Sequence, residues 1–440
     1  HETYYHLKRR EARQRRNELG ELAKTYPHNT SQKPTVAVLG VTCDLKLTPE
    51  GCARLLEINP LPSSDLAGYA EAYGESLSPI IRQHYDEIRT QYAGKTGDCK
   101  TFDFDHIDGT TLGDPARIVS EWRNGRRLRR DSAPGFFLND NKALMHDFAE
   151  RAGVTAFMPE TAIVDKYEEP EQAITHAMNT VQGDSVVIKP VAAYRGEGVM
   201  VVSRDELPDA MRTVMRGQTY DNNPAGAFWA QDHYPSFLVQ QCVNSKPVEA
   251  ENGKLYDATM RIAASLAYDH ETGKTGIWLH GGFWKLPAAS LTEPTDEASQ
   301  NRILSQTEKR PETPTAAPVD RQDLAQTSDQ IRTVLTALAP QMNMNDDAFL
   351  ETVQALLDDF LPVSAETMEQ VTNDRFGMAL AHAFPQAHGQ LIQQIREHAD
   401  SDAQDSTKAF ASDLINSPAG RPGEWTERTL TLHASRGYTR

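Results

Sequence analysis

The segment from Val186 to Val202, VVIKPVAAYRGEGVMVV, constrains the fold of this chain more than any other stretch. Two runs of β-branched and other apolar residues flank a short loop with two glycines, which predicts two paired strands. Glycines let backbone N–H groups approach anionic oxygens, and Lys189 at the end of the first run supplies a positive charge. The segment predicts a hairpin whose tip binds a polyphosphate, and an ordinary tight hairpin is the alternative.

Charge and composition argue against two classes of partner. The 440 residues include 45 Lys and Arg against 62 Asp and Glu, a formal net charge of -17, which opposes binding to nucleic acid backbones. No apolar run approaches the roughly 20 residues that span a bilayer, and the residues after His1 lead us to expect no signal peptide. The four cysteines form no CxxC pair, so neither a zinc site nor a disulfide framework is indicated. We expect a cytoplasmic protein of two or three packed units. A homo-oligomer is possible, and the sequence leaves the oligomeric state open.

The neighbours of Lys189 follow an order that is typical of one enzyme superfamily. LNDNKALMHDFAERAGV, with Lys142 at a helix start, precedes it, and FLVQQCVNSKPVEAENGKLYDATMRI, with Arg261 on a strand, follows. Over residues 134–287 this succession resembles the ATP-grasp superfamily. The resemblance implies an α/β (α+β) ATP-grasp fold, in which two lobes clasp the nucleotide.

The resemblance also implies roles for individual residues. Lys142 and Lys189 would neutralise the α- and β-phosphates of ATP, and the loop would close over the γ-phosphate. VQQCV would present an exposed hinge edge to the adenine, and Glu249 or Glu251 would bind the ribose. Arg261, Lys189 and Lys285 are the implied catalytic residues. The residues implied for ATP binding are Lys142, Lys189, Tyr194, Arg195, Gly196, Glu197, Gly198, Gln240, Gln241, Cys242, Val243 and Glu249.

The segment CDLKLTPEGCARLLEIN, residues 43–59, predicts two strands joined by the turn TPEG. In the superfamily a hairpin of this pattern follows the arginine strand and carries the Mg²⁺ ligands. Here it lies upstream, and no such pair of strands follows Arg261. The resemblance therefore implies a circular permutation in which Asp44, Glu57 and Asn59 hold two Mg²⁺ ions and the hairpin pairs with the Arg261 strand. The alternative is an ordinary N-terminal α/β unit.

Two positions depart from the superfamily pattern. Thr42 stands where an arginine often precedes the first metal-binding aspartate, and Lys285 stands where an arginine is common.

Two further candidates lie outside this pattern. DFDHIDG (Asp103 to Gly109) groups acidic residues around His106, which would form either a second metal or substrate site or the acidic end of a strand. His280 would either reach an acceptor or end a hairpin.

The pattern of breakers and apolar periodicity divides the chain into six regions. They are a polar helical extension (1–33), the metal-binding hairpin (34–64), a small α/β unit (65–133), the nucleotide-binding lobes (134–290), a flexible linker (291–329) and a helical C-terminal region (330–440).

The function implied by the resemblance is an ATP-dependent carboxylate-amine ligase. A carboxylate substrate would attack the γ-phosphate, and an amine acceptor would capture the resulting acylphosphate to form an amide. Two alternatives stay open: a phosphotransferase on the same fold, and a nucleotide-binding interaction protein without catalysis. Neither the acid nor the amine can be named from the sequence.

Overall fold

The computed structural model describes residues 35–60, 66–93, 95, 142–166, 169–191, 193, 196–232, 236–293, 302–305 and 313–342. These residues form two compact units. The first contains the described residues up to 95 together with 156–158 and 243–342, and the second contains 142–155 and 159–242. The predicted N-terminal extension, the DFDHIDG cluster and the C-terminal region beyond 342 lie outside the described residues. In the described part, no helix combines the length and hydrophobicity that a membrane crossing requires.

The first unit is built on an antiparallel sheet of five strands in the order β11-β10-β9-β1-β2. The turn Thr48–Gly51, in which Gly51 N–H donates to the Thr48 carbonyl, connects β1 to β2 as predicted. Two further short strands, β7 and β8, pair separately. The elements are β1 (Val36–Leu47), β2 (Ala53–Pro60), α1 (Ala67–Tyr73), α2 (Ser78–Gln91), β7 (Val248–Glu249), β8 (Leu255–Tyr256), β9 (Thr259–Asp269), β10 (Thr275–Lys285), β11 (Ala316–Pro318) and α6 (Arg321–Met342).

Helices α1 and α2 pack on one face of this sheet. Val36, Val38, Ala263 and Ala267 share a core there with apolar residues of both helices, including Ile81. Gly74 ends α1 with a positive φ of 74° and its N–H bonded to the Ala70 carbonyl, so α1 and α2 are separate helices. Alternate residues of β1 face the opposite side and are equally buried, which explains the nearly unbroken apolar sequence of the strand.

Helix α6 begins within the segment that was expected to be a linker. The helix starts at Arg321 rather than near residue 330, and β11 just before it pairs with the end of β10. Gln330 ties α6 to the β1–β2 hairpin by accepting from Ala53 N–H and donating to the Gly51 carbonyl. Residues 313–342 are thus part of the first unit, held by strand pairing that composition alone does not predict.

The second unit contains an antiparallel sheet of four strands in the order β3-β6-β4-β5. Its main core lies on one face, where strand residues such as Val186 and Val239 pack against Ala177 of α4 and Met211 of α5. A smaller cluster on the other face joins Ala143 of α3 to Leu238. The elements are α3 (Lys142–Arg151), β3 (Thr161–Asp165), α4 (Pro170–Thr180), β4 (Ser185–Pro190), β5 (Met200–Ser203), α5 (Leu207–Met215) and β6 (Ser236–Gln241), with a 3-10 turn at Gly226–Ala230. A further 3-10 turn, Thr155–Phe157, has its first residue in this unit and the other two in the first unit.

Helices and antiparallel sheets thus give a mixed α+β protein, as the sequence analysis expected.

Candidate functional site

A buried group of charged side chains lies on the five-stranded sheet of the first unit. Arg261 binds both carboxylate oxygens of Asp44, with Nε to Oδ1 and Nη2 to Oδ2 each at 2.7 Å. Lys285 Nζ donates to the same Oδ2 at 2.9 Å. The fork of donors on arginine matches a carboxylate, so this bidentate pair fixes the orientation of both side chains. We call Asp44, Arg261 and Lys285 the charged triad.

The register of the sheet brings the triad together. β1 pairs with β9 so that Asp44 lies opposite Arg261, although the two residues are 217 positions apart in the chain. Phe283 of β10 lies opposite Arg261 on the other side, and Lys285 follows two residues later. Opposed residues in antiparallel strands, and residues two apart along a strand, project from the same face. The predicted pairing between the N-terminal hairpin and the Arg261 strand is therefore confirmed.

The triad lies at one end of the face that α1 and α2 cover. The apolar residues Val36 and Val38 at the start of β1 pack beneath the two helices, whereas Asp44 stands near the end of the strand. The side chain of Asp44 retains 4% of its exposure and that of Lys285 retains 24%. The group is thus dry on the carboxylate side and reachable by solvent from the lysine side.

Electrostatics in the triad favour the ionised carboxylate. Burial by itself raises the pKa of Asp44, but the adjacent charges of Arg261 and Lys285 and their hydrogen bonds outweigh burial and hold that pKa well below its ordinary value. The neighbouring Cys43 points to the opposite face. Its burial, and next the negative charge of Asp44, raise the pKa of its thiol. Cys43 is therefore a packing residue.

Glu57 and Asn59 lie on the same face as the triad. β1 and β2 pair Asp44 with Glu57 and Thr42 with Asn59, and Asn59 Nδ2 donates to Glu57 Oε1 at 3.2 Å. A β-bulge next to Asp44 adds one residue, Leu56, to β2, because Asp44 pairs with Glu57 whereas Leu45 pairs with Leu55. Asp44, Glu57 and Asn59, the three residues implied to hold Mg²⁺, therefore share one face of the sheet.

These oxygens can be tested against the needs of Mg²⁺. Carboxylate and amide oxygens are ligands that Mg²⁺ accepts, and the ion draws its remaining ligands from phosphate and water. No group of three or more His, Cys, Asp or Glu side chains among the described residues is placed to hold a metal ion. Both oxygens of Asp44 are engaged by Arg261 and Lys285. The described residues therefore show no assembled Mg²⁺ site, although Glu57 and Asn59 supply oxygen donors of the kind that the ion accepts.

A second buried ion pair continues along the same face of β1, and the sequence analysis did not identify it. Lys46 Nζ donates to Asp257 Oδ1 at 2.9 Å and to the carbonyls of Asp257 and Ile303. Asp257 also accepts from Ser245 N–H and from Asn244 Nδ2. This network ties the chain that leaves β6 to the end of β1. The spacing of Asp44 and Lys46 in DLK, two residues apart, is the signal that both face one side.

In the second unit, Lys189 and Lys142 lie at the end of β4 and beside the chain that follows it. Lys189, near the end of β4, is opposite Leu238 of β6, on the face where Leu238 packs with Ala143 of α3. Lys142 at the start of α3 donates Nζ to the Ala193 carbonyl at 2.8 Å, and its N–H binds the Val191 carbonyl. The structure thus brings both predicted lysines to the chain that leaves β4.

The predicted adenine hinge differs from its expected form. Gln240 belongs to a central strand, is paired with both Thr161 and Val187, and donates Nε2 to Thr161 Oγ1. Gln241 also lies in that strand, and its N–H binds the Glu160 carbonyl. The expected exposed edge was therefore wrong for Gln240, because the hydrogen bonds that a nucleobase would use hold the sheet together. Cys242 and Val243 follow the strand, and their role at the adenine stays a prediction.

The remaining predicted residues are distributed as follows. Gly196, Glu197 and Gly198 form the turn before β5, with Val199 N–H bonded to the Gly196 carbonyl. Glu249 lies on β7 opposite Leu255 in the small sheet of the first unit. Tyr194 and Arg195 lie outside the described residues.

His280 is neither at a hairpin end nor on the surface. It stands inside β10 at an irregularity between Leu279 and Gly281, is 5% exposed, and its Nε2 contacts Ser265 Oγ at 2.7 Å. Its Nδ1 contacts Nδ1 of His84 on α2 at 2.8 Å. Burial, and next the positive charge that His84 can carry, lower the pKa of His280 to about 3. The predicted reach to an acceptor is therefore wrong, because the ring is enclosed between the sheet and α2.

Comparisons with known proteins add little. No protein-family model and no curated protein sequence matches this chain. Among solved structures, a Methylobacillus flagellatus KT protein provisionally named gamma-glutamylcysteine synthetase is similar to 75% of this chain and 92% of its own, with 11% identity and a TM-score of 0.34. A similarity at that level carries no conclusion about the function of this chain.

Proposed function

We propose that the chain is an ATP-dependent carboxylate-amine ligase of ATP-grasp type, with the metal-binding hairpin moved ahead of the nucleotide-binding lobes. Its substrates are ATP with Mg²⁺, a carboxylic acid and an amine. The reaction transfers the γ-phosphoryl group to the carboxylate, and the amine then displaces phosphate to form an amide. ADP and inorganic phosphate leave.

The pairing of Asp44 with Arg261 is the observation that carries this proposal. The superfamily resemblance requires the DLKLT hairpin to lie beside the arginine strand. β1 of this hairpin does pair with β9, which carries Arg261, although the hairpin comes first in the chain. This pairing also leaves two cations and the oxygens of Glu57 and Asn59 on one face. The triad carries charges of both signs, is buried on the Asp44 side and is open to solvent on the Lys285 side. Such a site can stabilise a phosphoryl group during its transfer.

Each part of the triad has a distinct task in this reaction. Arg261 and Lys285 would bind the phosphoryl oxygens as charge moves onto them, and Asp44 would hold both cations in position beforehand. Preorganised cations lower the barrier because they need no reorganisation when the charge develops. Mg²⁺, held by Glu57, Asn59 and Asp44 together with the phosphates, would supply further charge neutralisation.

The superfamily resemblance also assigns ATP-binding roles to residues of the second unit. Lys142 and Lys189 would neutralise the α- and β-phosphates, and the turn at Gly196–Gly198 would cover the γ-phosphate and exclude water. Exclusion of water protects an acylphosphate from hydrolysis.

Calorimetric titration of ATP, with and without Mg²⁺, is the first test. We expect Mg²⁺-dependent binding in the wild type and its loss in Glu57→Gln, whereas Glu75→Gln, at an exposed position after α1, binds as the wild type does. Retained binding in Glu57→Gln would remove the hairpin from the site. Absence of Mg²⁺-dependent binding in the wild type would reject the proposal as a whole.

Product analysis then separates ligation from phosphoryl transfer. Mixtures of carboxylic acids and amines are incubated with ATP and Mg²⁺, and ADP and inorganic phosphate are measured. Release of both products only when acid and amine are present supports a ligase, and ADP without free phosphate supports a phosphotransferase. Lys189→Ala should abolish ADP formation, while Lys274→Ala, at an exposed position after β9, should not.

A further inference from the structure

The glycine turn that precedes β5 has one exposed glycine and one buried glycine. Gly196 and Gly198 both have positive φ angles, 72° and 71°, in the region that residues other than glycine rarely adopt. A Cβ added at Gly196 would meet no atom within 4 Å. A Cβ added at Gly198 would lie 2.3 Å from the ring of Phe228. The two glycines thus share a backbone conformation but differ in packing.

The segment from Tyr220 to Asp232 packs against the exit of this turn at three points. Trp229 Nε1 donates to the Gly198 carbonyl at 3.0 Å, and Phe228 fills the space beside the Gly198 Cα. Asn223 Nδ2 donates to the Val201 carbonyl at 3.2 Å. We call this segment the anchor segment.

The anchor segment is itself held firmly. The Trp229 ring is fully buried and makes edge contacts with Phe228 and Phe237, which belongs to the central strand β6. At its far end, Asp232 pairs with the buried Lys166 at 2.8 Å, and the Lys166 ammonium lies 5.5 Å from the Trp229 ring centre. The donors that reach the turn are therefore fixed to the core of the second unit.

We infer that Trp229, Phe228 and Asn223 are positioning residues for the phosphate-binding turn, fixing its exit so that the backbone of Gly196–Gly198 is aimed at the ATP phosphates before ATP binds. This inference rests on the proposed function and assigns to the same site residues that touch neither ATP nor metal. A preorganised loop loses less conformational freedom on binding, and that gain appears as affinity. The gain applies to phosphate contacts and leaves contacts with the adenosine portion unchanged.

The test compares ATP with adenosine in the full-length protein. Trp229→Phe keeps an aromatic ring but removes the donor to the Gly198 carbonyl. Loss of one such hydrogen bond corresponds to a change of about fivefold in an equilibrium. We expect the Kd for ATP with Mg²⁺ to rise about fivefold or more, while the Kd for adenosine, measured by competition, stays at the wild-type value. Trp278→Phe, in the first unit, is the matched control.

A set of glycine variants tests the same idea without touching Trp229. Gly196→Ala carries the conformational cost without an overlap with other residues, and Gly198→Ala adds the overlap with Phe228. We expect Gly198→Ala to weaken ATP binding more than Gly196→Ala does, and Phe228→Leu to restore part of the loss in the Gly198→Ala background. This cycle decides the question if Trp229→Phe fails to fold.

The possible results separate the two proposals. If the wild type binds ATP and the variants bind it equally well, the positioning role is rejected and the proposed function stands. If ATP and adenosine are weakened by the same factor, these residues act only through overall stability, and the positioning role is again rejected. If the wild type binds no ATP, the proposed function fails and this inference fails with it.

Discussion

Acidification should destabilise the first unit through the buried histidine pair on β10 and α2. Nδ1 of His280 and Nδ1 of His84 are 2.8 Å apart, and Ser265 Oγ links His280 Nε2 to the Tyr85 hydroxyl. One proton between the two rings satisfies both Nδ1 atoms when the pair is neutral. An added proton places a charge in this enclosed network.

The surroundings of the pair disfavour that charge. Burial and then the effect of His84 lower the pKa of His280 to about 3. Burial also lowers the pKa of His84, Glu87 opposes that shift, and Arg332 on α6 adds to it. His280 also contacts Ser265 through a hydrogen bond and the ring of Tyr85.

The magnitude follows from proton linkage. The folded chain holds His280 neutral down to about pH 3, whereas the unfolded chain protonates it below the ordinary histidine pKa of 6.5. The unfolded state therefore binds more protons between these values, and stability falls as the pH falls. Each pH unit contributes about 1.4 kcal/mol, so at pH 5 the loss due to His280 is about 2 kcal/mol relative to pH 7. Asp44 adds to the loss only at lower pH, because its pKa is lowered below an already acidic value.

Denaturant unfolding at pH 7, 6 and 5 measures this dependence, with hydrogen exchange of the β9 and β10 amides reporting on the first unit. We expect His280→Gln, which cannot titrate, to lose stability at pH 7 but to depend less on pH than the wild type. His176→Gln, at an exposed position on α4, is the control and should follow the wild-type pH profile. An NMR titration that protonates His280 near pH 6.5 in the folded protein would refute the reasoning.

Three further predictions concern buried charges and the proposed site. Asp44→Asn removes the carboxylate charge that Arg261 and Lys285 both bind, so chemical unfolding should show a loss of about 3–5 kcal/mol, and a loss below 1 kcal/mol would mean that the pair is not buried in solution. Lys46→Met should destabilise by a similar amount, while Lys95→Met, which removes an exposed partner, should leave the unfolding midpoint nearly unchanged. Glu57→Gln should keep the wild-type unfolding midpoint while losing Mg²⁺-dependent ATP binding, and a matching fall in stability would make its effect structural.

Part of the fold could be predicted because it depends on neighbours in sequence. The turn at Thr48–Gly51 and the alternation of residues on both sides of it define the β1–β2 hairpin. The same alternation places Glu57 and Asn59 together and sets Asp44 across from them. The region from 291 to 329 was misjudged in part for the opposite reason. Its composition is polar, and β11 exists because the end of β10 offers it a partner.

The site shows the same division between local and distant information. Lysines and glycines with suitable chemistry could be found from their types and order. That Gln240 lies in a central strand, and that His280 points into a closed network, depends on which strands and helices pack beside them. The anchor role of Trp229 for the turn at Gly198 could not be found from spacing, because a lone tryptophan on a 3-10 turn carries no local signal.

The sequence by itself determined where the chain turns and which residue types line each strand, since turn chemistry and a period of two act between near neighbours. Only the tertiary structure decided which strand lies beside which. Backbone hydrogen bonds between strands are the same for every residue type, so the partner of a strand is chosen by the packing of whole faces and not by local sequence. Asp44 and Arg261 meet across 217 positions because both faces of β1 and β9 are buried in this one arrangement.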